Sequence, residues 1–343
     1  MQRRIGTLAA AAAVGLVGLA SDANAQQTLA QVQERGFLNC QIGESTVGFY
    51  SLGSDGTWSG FDVDMCRAVA AAIFGDPDKI EYQSVTNAVR FTSLANGESD
   101  MLSRTTTWTA VRDTQLGLEF MPTVFYDGQG FMVPRDSGIS STLELDGATV
   151  CVITGTTTEL NLADYFRANN MEHTPMTAES ADVVAETYLN GACDAITNDK
   201  SSLASRRAAF PDPSAHVILP ETVSKEPLGP VVRHGDNAWG DLVRWVIVGL
   251  IEAEELGVSS ENVDEMVESS NPAIRRLLGA EGNIGEELGL DPDFMVDVLK
   301  GVGNYGEIYA RHLGEGTAID IPREGTLNAQ WYDGGILYAP PFR

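Results

Sequence analysis

The sequence predicts an α/β protein of two lobes joined by two extended segments. Strand-like runs alternate with amphipathic helical runs, a pattern typical of βαβ units and a largely parallel sheet. The alternation occurs twice along the chain, and the extended segments lie near 126–135 and 223–233. The 343 residues fit two domains of ~150 residues each. We therefore expect a bilobal clamp, in which the chain leaves the first lobe and later returns to it.

The first half contains three predicted strands and two predicted helices. The helix at 61–76 combines apolar and small residues in a spacing suited to packing on a sheet, and Gly97 is a plausible stop for the second helix. The predicted order is strand 36–43, helix 61–76, strand 79–85, helix 87–100 and strand 100–104.

The second half repeats the pattern over 140–170, as a helix, a strand, a tight loop and another helix. Strands follow at 195–199 and 216–220, and a strong amphipathic helix at 237–257 returns to the first lobe. The predicted division is a signal peptide at 1–25, lobe one at 26–130 and 229–260, lobe two at 131–228, and a C-terminal extension at 261–343 that packs on lobe one.

The first residues have the organisation of a secretory signal. Arg3 and Arg4 precede an apolar run from Leu8 to Leu19, and "ANA" stands just before Gln26. No later segment approaches twenty uninterrupted apolar residues, the length that a membrane span needs. We expect cleavage after Ala25 and export to a bacterial periplasm.

Charge and cysteine content exclude several classes of function. The formal net charge of −26 argues against binding to nucleic acid or to anionic membrane surfaces. None of the four cysteines has the C-x-x-C spacing of a zinc or redox site, so we expect no metal. In an oxidising compartment these cysteines would form disulfides, and four cysteines allow three pairings.

A polar stretch at 103–114, "SRTTTWTAVRDT", follows the third predicted strand. Thr109 could cap a helix that begins at Ala110, which would place Arg112 in the first turn, where free N–H groups favour an anion. The stretch would also suit an exposed capping loop in which Arg112 forms a surface ion pair. In the second half, "TGTTTE" opens a helix, and Thr156 with Glu159 forms a predicted capping box.

Several segments together resemble the general L-amino-acid-binding periplasmic proteins of polar-amino-acid ABC importers, which are solute-binding proteins of family 3. The resemblance covers nearly the whole mature chain, including the C-terminal extension. The segments are "GFDVDMCRAVAAAIFGD", "DMLSRTTTWTAVRDT", "YDGQGFMVP", "LDGATVCVITGTTTELNLADYFRAN", "CDAITNDKSSLAS", "VSKEPLGPVVRHGD" and "NPAIRRLLG".

The resemblance implies the type II periplasmic-binding-protein fold, with a free L-amino acid held between the lobes. Arg112 matches the arginine that holds the α-carboxylate, and Asp199 matches the aspartate that binds the α-ammonium. Asp at a strand end is also a common turn residue. The remaining predicted contacts are Thr105, Thr107, Thr156 and Thr157, with Phe49, Tyr50 and Arg104 in the side-chain pocket.

The resemblance also implies a monomer that delivers its ligand to inner-membrane ABC permease subunits and needs no cofactor. We predict one disulfide in each lobe. Cys40 lies in the first strand and Cys66 in the helix that packs on it, whereas Cys151 and Cys193 flank strands of the second lobe.

Two departures and two alternatives stay open. Thr105 stands where the family pattern has asparagine, and Tyr50 stands at a usually small position. An enzyme on the same fold, such as a periplasmic dehydratase for cyclic acids, would need an acid or base in the cleft. Of the four histidines, three lie outside the matching segments, and His234 stands near the end of one of them. A chemosensory component would need a fused membrane or signalling segment, and the sequence shows none.

Overall fold

A computed structural model describes residues 27–343. The predicted signal peptide at 1–25 lies outside the described residues. Within 27–343, no helix combines the length and apolar character needed to cross a membrane.

Two five-stranded sheets form the centres of the two lobes. The first sheet has the order β4-β1-β5-β14-β6 and the second has the order β10-β9-β11-β8-β12. The strands are β1 Leu38–Ile42, β2 Ser51–Leu52, β3 Trp58–Ser59, β4 Ile80–Ser84, β5 Met101–Leu102, β6 Leu118–Phe120, β7 Phe125–Asp127, β8 Gln129–Pro134, β9 Thr149–Ile153, β10 Thr174–Ala178, β11 Ala195–Asp199, β12 His216–Ile218, β13 Glu226–Leu228 and β14 Val231–Arg233.

The strand register shows how the chain passes between the lobes. In the first sheet β1 is parallel to β4 and β5, whereas β14 is antiparallel to β5 and β6. In the second sheet β9 is parallel to β10 and β11, whereas β8 is antiparallel to β11 and β12. Each sheet therefore has three parallel strands on one side, and the fourth strand, next to a crossing between the lobes, runs antiparallel to both of its neighbours.

The two crossings form a ribbon of their own. Strand β7 pairs antiparallel with β13, so that Asp127 lies opposite Glu226. Glycine is required beside this ribbon because the neighbouring backbone comes very close. A Cβ on Gly128 would lie 2.2 Å from the Thr222 side chain, and one on Gly229 would lie 2.9 Å from the Pro122 carbonyl oxygen. The ribbon therefore joins the lobes through two closely packed strands.

Helices cover both sheets. They are α1 Gln27–Arg35, α2 Phe61–Phe74, α3 Arg90–Ala95, α4 Ala110–Gln115, α5 Thr157–Ala168, α6 Ala181–Leu189, α7 Lys200–Ala209, α8 Asn237–Glu255, α9 Val263–Met266, α10 Pro272–Leu277, α11 Ile284–Glu287, α12 Phe294–Val302 and α13 Tyr305–His312. The second predicted helix is shorter than expected. Helix α3 ends at Ala95, and Gly97, which follows it, has a left-handed backbone conformation that stops the helix. A short 3₁₀ turn, Thr142–Leu145, replaces the helix predicted before β9.

Residues after 260 pack against the first sheet and its helices. Helix α12 packs on α2 and α8, and the hydrophobic cores of these elements are continuous. Tyr305 donates a hydrogen bond of 2.6 Å to the Val124 carbonyl oxygen, next to the first crossing. The guanidinium of Arg323 pairs with Glu254 of α8 and lies 4.8 Å from the Tyr305 ring centroid. The extension thus rests on the same body that carries the first crossing strand.

The two predicted disulfides are confirmed. Cys40 of β1 is bonded to Cys66 of α2, with 6.3 Å between their Cα atoms. Cys151 of β9 is bonded to Cys193, with 5.7 Å between their Cα atoms. The first bond links a helix to the sheet on which it packs, and the second links a central strand to the loop before β11.

Candidate ligand-binding site

A cavity between the two lobes collects eight of the nine contact residues predicted from the sequence. The lobes touch beside it. The hydroxyl oxygens of Thr107 and Thr157 are 3.4 Å apart, and the Ala181 backbone N–H donates to the Glu44 carboxylate at 3.3 Å. These contacts close the cleft around the polar groups that line the cavity.

Phe49 is the exception, and its predicted place in the side-chain pocket is wrong. Its side chain is 1% exposed, and its ring contacts the rings of Phe61 and Phe125 at centroid distances of 6.3 and 5.6 Å. Tyr50, the next residue, lines the cavity. Phe49 lies in the turn 47–49, whose backbone folds back on the Thr46 carbonyl oxygen, so the two neighbouring side chains face different surroundings.

Arg112 reaches the cavity from the first turn of α4, as predicted. Thr109 caps this helix, because its hydroxyl accepts a hydrogen bond from the Arg112 backbone N–H at 3.3 Å. One guanidinium nitrogen, Nη1, donates to the Thr107 carbonyl oxygen at 2.9 Å, which fixes the side chain. Burial lowers the pKa of Arg112, while Glu226 and Asp199 act to raise it. The arginine is thus a buried, oriented cation with further donors.

Thr105 is held in an unusual backbone conformation. Its φ is 44°, in the left-handed region that β-branched residues rarely adopt and asparagine tolerates better. The Asp62 carboxylate stabilises this turn, because it accepts from the Thr105 backbone N–H at 2.9 Å and from the Ser103 hydroxyl at 2.8 Å. Burial raises the pKa of Asp62 to about 6, against the opposing effects of Ser103, Thr105 and Arg104. The Tyr50 hydroxyl lies 3.2 Å from the Thr105 hydroxyl.

The N-terminus of α5 forms the facing wall. Thr156 caps the helix, since its hydroxyl accepts from the Glu159 backbone N–H at 3.1 Å. The predicted capping box is incomplete, because the Glu159 carboxylate accepts from the Gly155 N–H at 2.8 Å and not from that of Thr156. The Thr157 hydroxyl donates to Glu226 at 3.0 Å. One threonine therefore holds the helix end while the next one links it to the crossing strand β13.

Asp199 lies at the end of β11, directly before α7. Its side chain forms no capping hydrogen bond to that helix, so its burial is not explained by a role in the turn. Burial raises the pKa of Asp199 well above its usual range, and the nearby Asp127 and Glu226 raise it further, whereas Arg112 and Arg90 oppose them. The group is a buried carboxylate that lines the cavity.

Five charged residues at or beside the site escaped the sequence reasoning, and two of them, Glu44 and Arg206, line the cavity. Arg90, the first residue of α3, also lines the cavity and is 4% exposed. Asp127 and Glu226 lie opposite each other on the crossing strands. Glu226 is buried, and Asp127 is half-buried. Burial raises the pKa of Asp127 to about 6, although Ser201 and Gly128 oppose this shift. Arg90, Asp127 and Glu226 stand in the segments "NAVRF", "FYDG" and "SKEPLG". Each segment has an ordinary helix or strand pattern, so no local signal indicates that its charged residue belongs to a site.

Comparisons with known proteins agree with this architecture. Residues 39–274 match the model of the bacterial extracellular solute-binding proteins, family 3. A glutamate/glutamine/aspartate/asparagine-binding protein of Rhodobacter capsulatus is 51% identical, over 96% of this chain and 97% of its own length. A general L-amino acid-binding periplasmic protein of Rhizobium johnstonii is 49% identical, over 98% of each chain.

Among solved structures, a periplasmic binding protein from Brucella ovis with glutathione bound matches with a TM-score of 0.90 and 52% identity. The match covers 92% of this chain and 99% of that one. The two lobes, the paired crossings and the cavity between them are thus the type II periplasmic-binding-protein fold. With this match and the family model over most of its length, the chain belongs to the bacterial extracellular solute-binding proteins, family 3.

Proposed function

We propose that this protein captures free L-amino acids between its lobes, with a broad preference for acidic and amide side chains, and delivers them to an ABC permease in the inner membrane. Two relatives that cover nearly the whole chain are named for binding amino acids, which supports the class of ligand. The preference draws on the polar and cationic lining of the cavity.

The observation that carries the proposal is the placement of Arg112 and Asp199 on one cavity, from opposite lobes. An amino acid brings an α-carboxylate and an α-ammonium that are separated by one carbon. The carboxylate would accept from the Arg112 guanidinium, with Thr107 beside it, and the ammonium would donate to Asp199. One zwitterion thereby pairs two buried charges that would otherwise be costly.

The remaining lining residues would surround the ligand's side chain. Arg104 and Tyr50 come from lobe one, and Thr157 with the capping Thr156 comes from the N-terminus of α5. Because γ-glutamyl peptides carry the same α-carboxylate and α-ammonium as glutamate, they fit the same arrangement. The glutathione in the Brucella ovis structure supports including them in the ligand class.

The cellular setting is part of the proposal. We infer that residues 1–25 are removed during export to the periplasm and that the mature chain acts as a monomer. Lobe one would comprise 26–130 and 229–260, lobe two 131–228, and the extension 261–343. The lobes would close around the ligand by bending at the paired crossings.

Binding without turnover is favoured over a dehydratase activity. The relatives named above are binding proteins, and none of the four histidines lines the cavity in the described part of the chain. An assay for turnover of prephenate or arogenate separates the two functions. Product formation at enzymatic rates, abolished by Asp199→Asn, would favour the enzyme.

A thermal-denaturation screen of the mature protein with the twenty amino acids tests the proposed function. A ligand present at ~100 times its dissociation constant should add ~2.7 kcal/mol to the free energy of unfolding. We expect stabilisation by several polar amino acids and no effect of their D-enantiomers at the same concentrations. Absence of stabilisation by every L-amino acid would contradict the proposal.

A further inference from the structure

We propose that Arg90 and Arg104 form a second anion-binding position in the cavity, and that preferred ligands carry a second carboxylate besides the α-carboxylate. The inference rests on the proposed amino-acid-binding function and names the ligand class of the same site. Arg90 was not predicted from the sequence, and the pair has a task distinct from that of Arg112.

Both guanidiniums are buried and lack a carboxylate partner. Arg90 is 4% exposed and Arg104 is 5% exposed, and both line the cavity. In the described part of the chain, neither forms an ion pair with an acidic side chain. The Nε atoms of both residues and Nη1 of Arg104 have no hydrogen-bond acceptor there. Buried polar groups normally have partners, so these donors point to an anion that comes with the ligand.

Neighbouring groups hold the two side chains in place. Nη1 of Arg90 donates to the Asn87 side-chain oxygen at 2.6 Å, and its guanidinium carbon lies 4.5 Å from the Phe91 ring centroid. Arg104 lies against Gly43, where a Cβ atom would come within 2.9 Å of Nε and Nη2. An amide and a ring therefore hold Arg90, and Arg104 occupies space beside Gly43 that a side chain at that position would take.

The charges around the pair leave a positive potential. Arg90 has a pKa well below its usual range, because of burial first and then of repulsion from Arg104 and Arg112. Asp62 offsets Arg104 in part, but its two carboxylate oxygens are already engaged by Ser103 and Thr105.

The other carboxylates near the cavity are committed elsewhere. Glu226 accepts from Thr157, Asn161 and Ser224, and Glu44 accepts from the Ala181 N–H. Asp199 is the proposed partner of the ligand's ammonium. Arg206 also lines the cavity but pairs with Asp182. An α-carboxylate neutralises one of the other three arginines, so a second carboxylate balances the cavity better than an amide or an apolar side chain does.

Two sources could provide the second carboxylate. One is the side chain of a dicarboxylic amino acid, and the other is the C-terminal carboxylate of a γ-glutamyl peptide. Both present an α-carboxylate and an α-ammonium to Arg112 and Asp199, so they differ only in the distance to the second anion. Glutamate and γ-glutamylglycine are suitable probes, because each has one second carboxylate.

Calorimetric titration with a matched ligand series tests the inference. L-Glutamate, L-glutamine and L-norleucine have similar length and differ in charge and polarity at the end of the side chain. The wild-type protein should bind glutamate at least about tenfold more tightly than glutamine, and glutamine more tightly than norleucine. Arg90→Met and Arg104→Met should each lower the affinity for glutamate by at least about tenfold and that for norleucine by less than about threefold.

Norleucine serves as the folding control, because a variant that binds it normally has an intact site for the α-groups. Arg90→Lys and Arg104→Lys, which retain the charge, should recover part of the loss. Arg167→Met, at an exposed arginine of α5, should change no affinity. If γ-glutamylglycine binds more tightly than glutamate and loses affinity in the same variants, the second carboxylate is that of a peptide. The reverse order identifies the side-chain carboxylate, and both results support the position.

Equal wild-type affinities for glutamate and norleucine would overturn the second anion position and leave amino-acid binding intact. An equal loss for all three ligands in Arg90→Met or Arg104→Met, in variants whose unfolding remains cooperative, would place that arginine with Arg112 at the α-groups and also overturn it. If the wild-type protein binds none of the ligands, the proposed function itself fails.

Discussion

The two walls of the cavity are enriched in opposite charges, although Glu44 lies on the first wall and Arg206, which pairs with Asp182, lies on the second. The wall from the first sheet and its helices contributes Arg90, Arg104 and Arg112. The opposite side contributes Asp199 from the second sheet, with Asp127 and Glu226 on the crossing strands behind it. Burial lowers the pKa of Arg112, and the acidic groups act to raise it. Burial raises the pKa of Asp199, and Arg112 and Arg90 act to lower it, so the two sets of charges interact. No ion pair joins them in the described residues.

This difference explains how binding can favour a closed protein. The like charges within each wall repel one another, and the opposite charges of the two walls attract. The two walls are too far apart to form direct ion pairs. A ligand that carries both charges gains most when it contacts both walls at once. Its differential affinity then shifts the population towards the closed arrangement. Thr107 and Thr157, one from each wall, already meet at 3.4 Å.

The largest expected effect comes from removing one wall's contact with the ligand's α-groups. Arg112→Met strands the α-carboxylate, and Asp199→Asn removes the counter-charge of the α-ammonium. Loss of a buried charge-assisted pair costs ~3–5 kcal/mol, so the affinity for every amino acid should fall by more than ~100-fold. Calorimetry with glutamate, glutamine and leucine provides the measurement, and Arg167→Met is the control. Unchanged binding in Arg112→Met would contradict the proposal that the first wall holds the α-carboxylate.

A smaller effect should follow from titrating the acidic wall. Burial raises the pKa of Asp127 to about 6, so this group binds a proton as the pH falls towards 6, and burial raises the pKa of its neighbour Asp199 as well. A protonated carboxyl attracts the ligand's ammonium less than a carboxylate does. Arg90 and Arg112 are cations and cannot replace this lost attraction. Affinity for leucine should fall by up to ~10-fold per pH unit below about 6. In calorimetry at pH 6, the heat should depend on the buffer's ionisation enthalpy, and less so in Asp199→Asn.

The stability of the ligand-free protein should change in the opposite direction. A carboxyl with a raised pKa binds its proton more tightly in the folded than in the unfolded chain. Its stabilising contribution is therefore complete below the usual pKa and is lost as the pH rises through about 6. Asp62, Asp127 and Glu252 all have a pKa of about 6, so denaturant unfolding should show this loss between about pH 4 and 6. A flat profile would show that these groups stay ionised.

The smallest effect concerns the strand that carries Asp127. The Asn328 side chain accepts from the Tyr126 backbone N–H at 2.7 Å and donates to its carbonyl oxygen at 3.0 Å, so the extension holds the free edge of β7. Asn328→Ala should lower the free energy of unfolding by ~1–3 kcal/mol and increase amide hydrogen exchange at Tyr126. Thr317→Ala, which removes a local hydroxyl hydrogen bond elsewhere in the extension, is the control. Equal exchange in both variants would show that β7 needs no such support.

The sequence by itself determined the features that depend on neighbouring residues. Alternating strand and helix patterns located both sheets, and Thr109 and Thr156 were identified as caps because a cap acts on N–H groups two or three residues away. The matching segments identified Arg112 and Asp199, whose positions at a helix start and a strand end follow from local pattern.

Only the tertiary structure decided which distant charges lie at or beside the cavity. Arg90 begins a short helix, and Asp127 and Glu226 lie on strands that are paired although 99 positions separate them. Phe49 faces an aromatic core that includes Phe61 and Phe125, although Tyr50 beside it faces the cavity. The pKa shifts and unpaired donors arise from burial by chain segments far away in sequence. A local pattern cannot specify burial of that kind, because it depends on how the two lobes and the crossing strands come together in space.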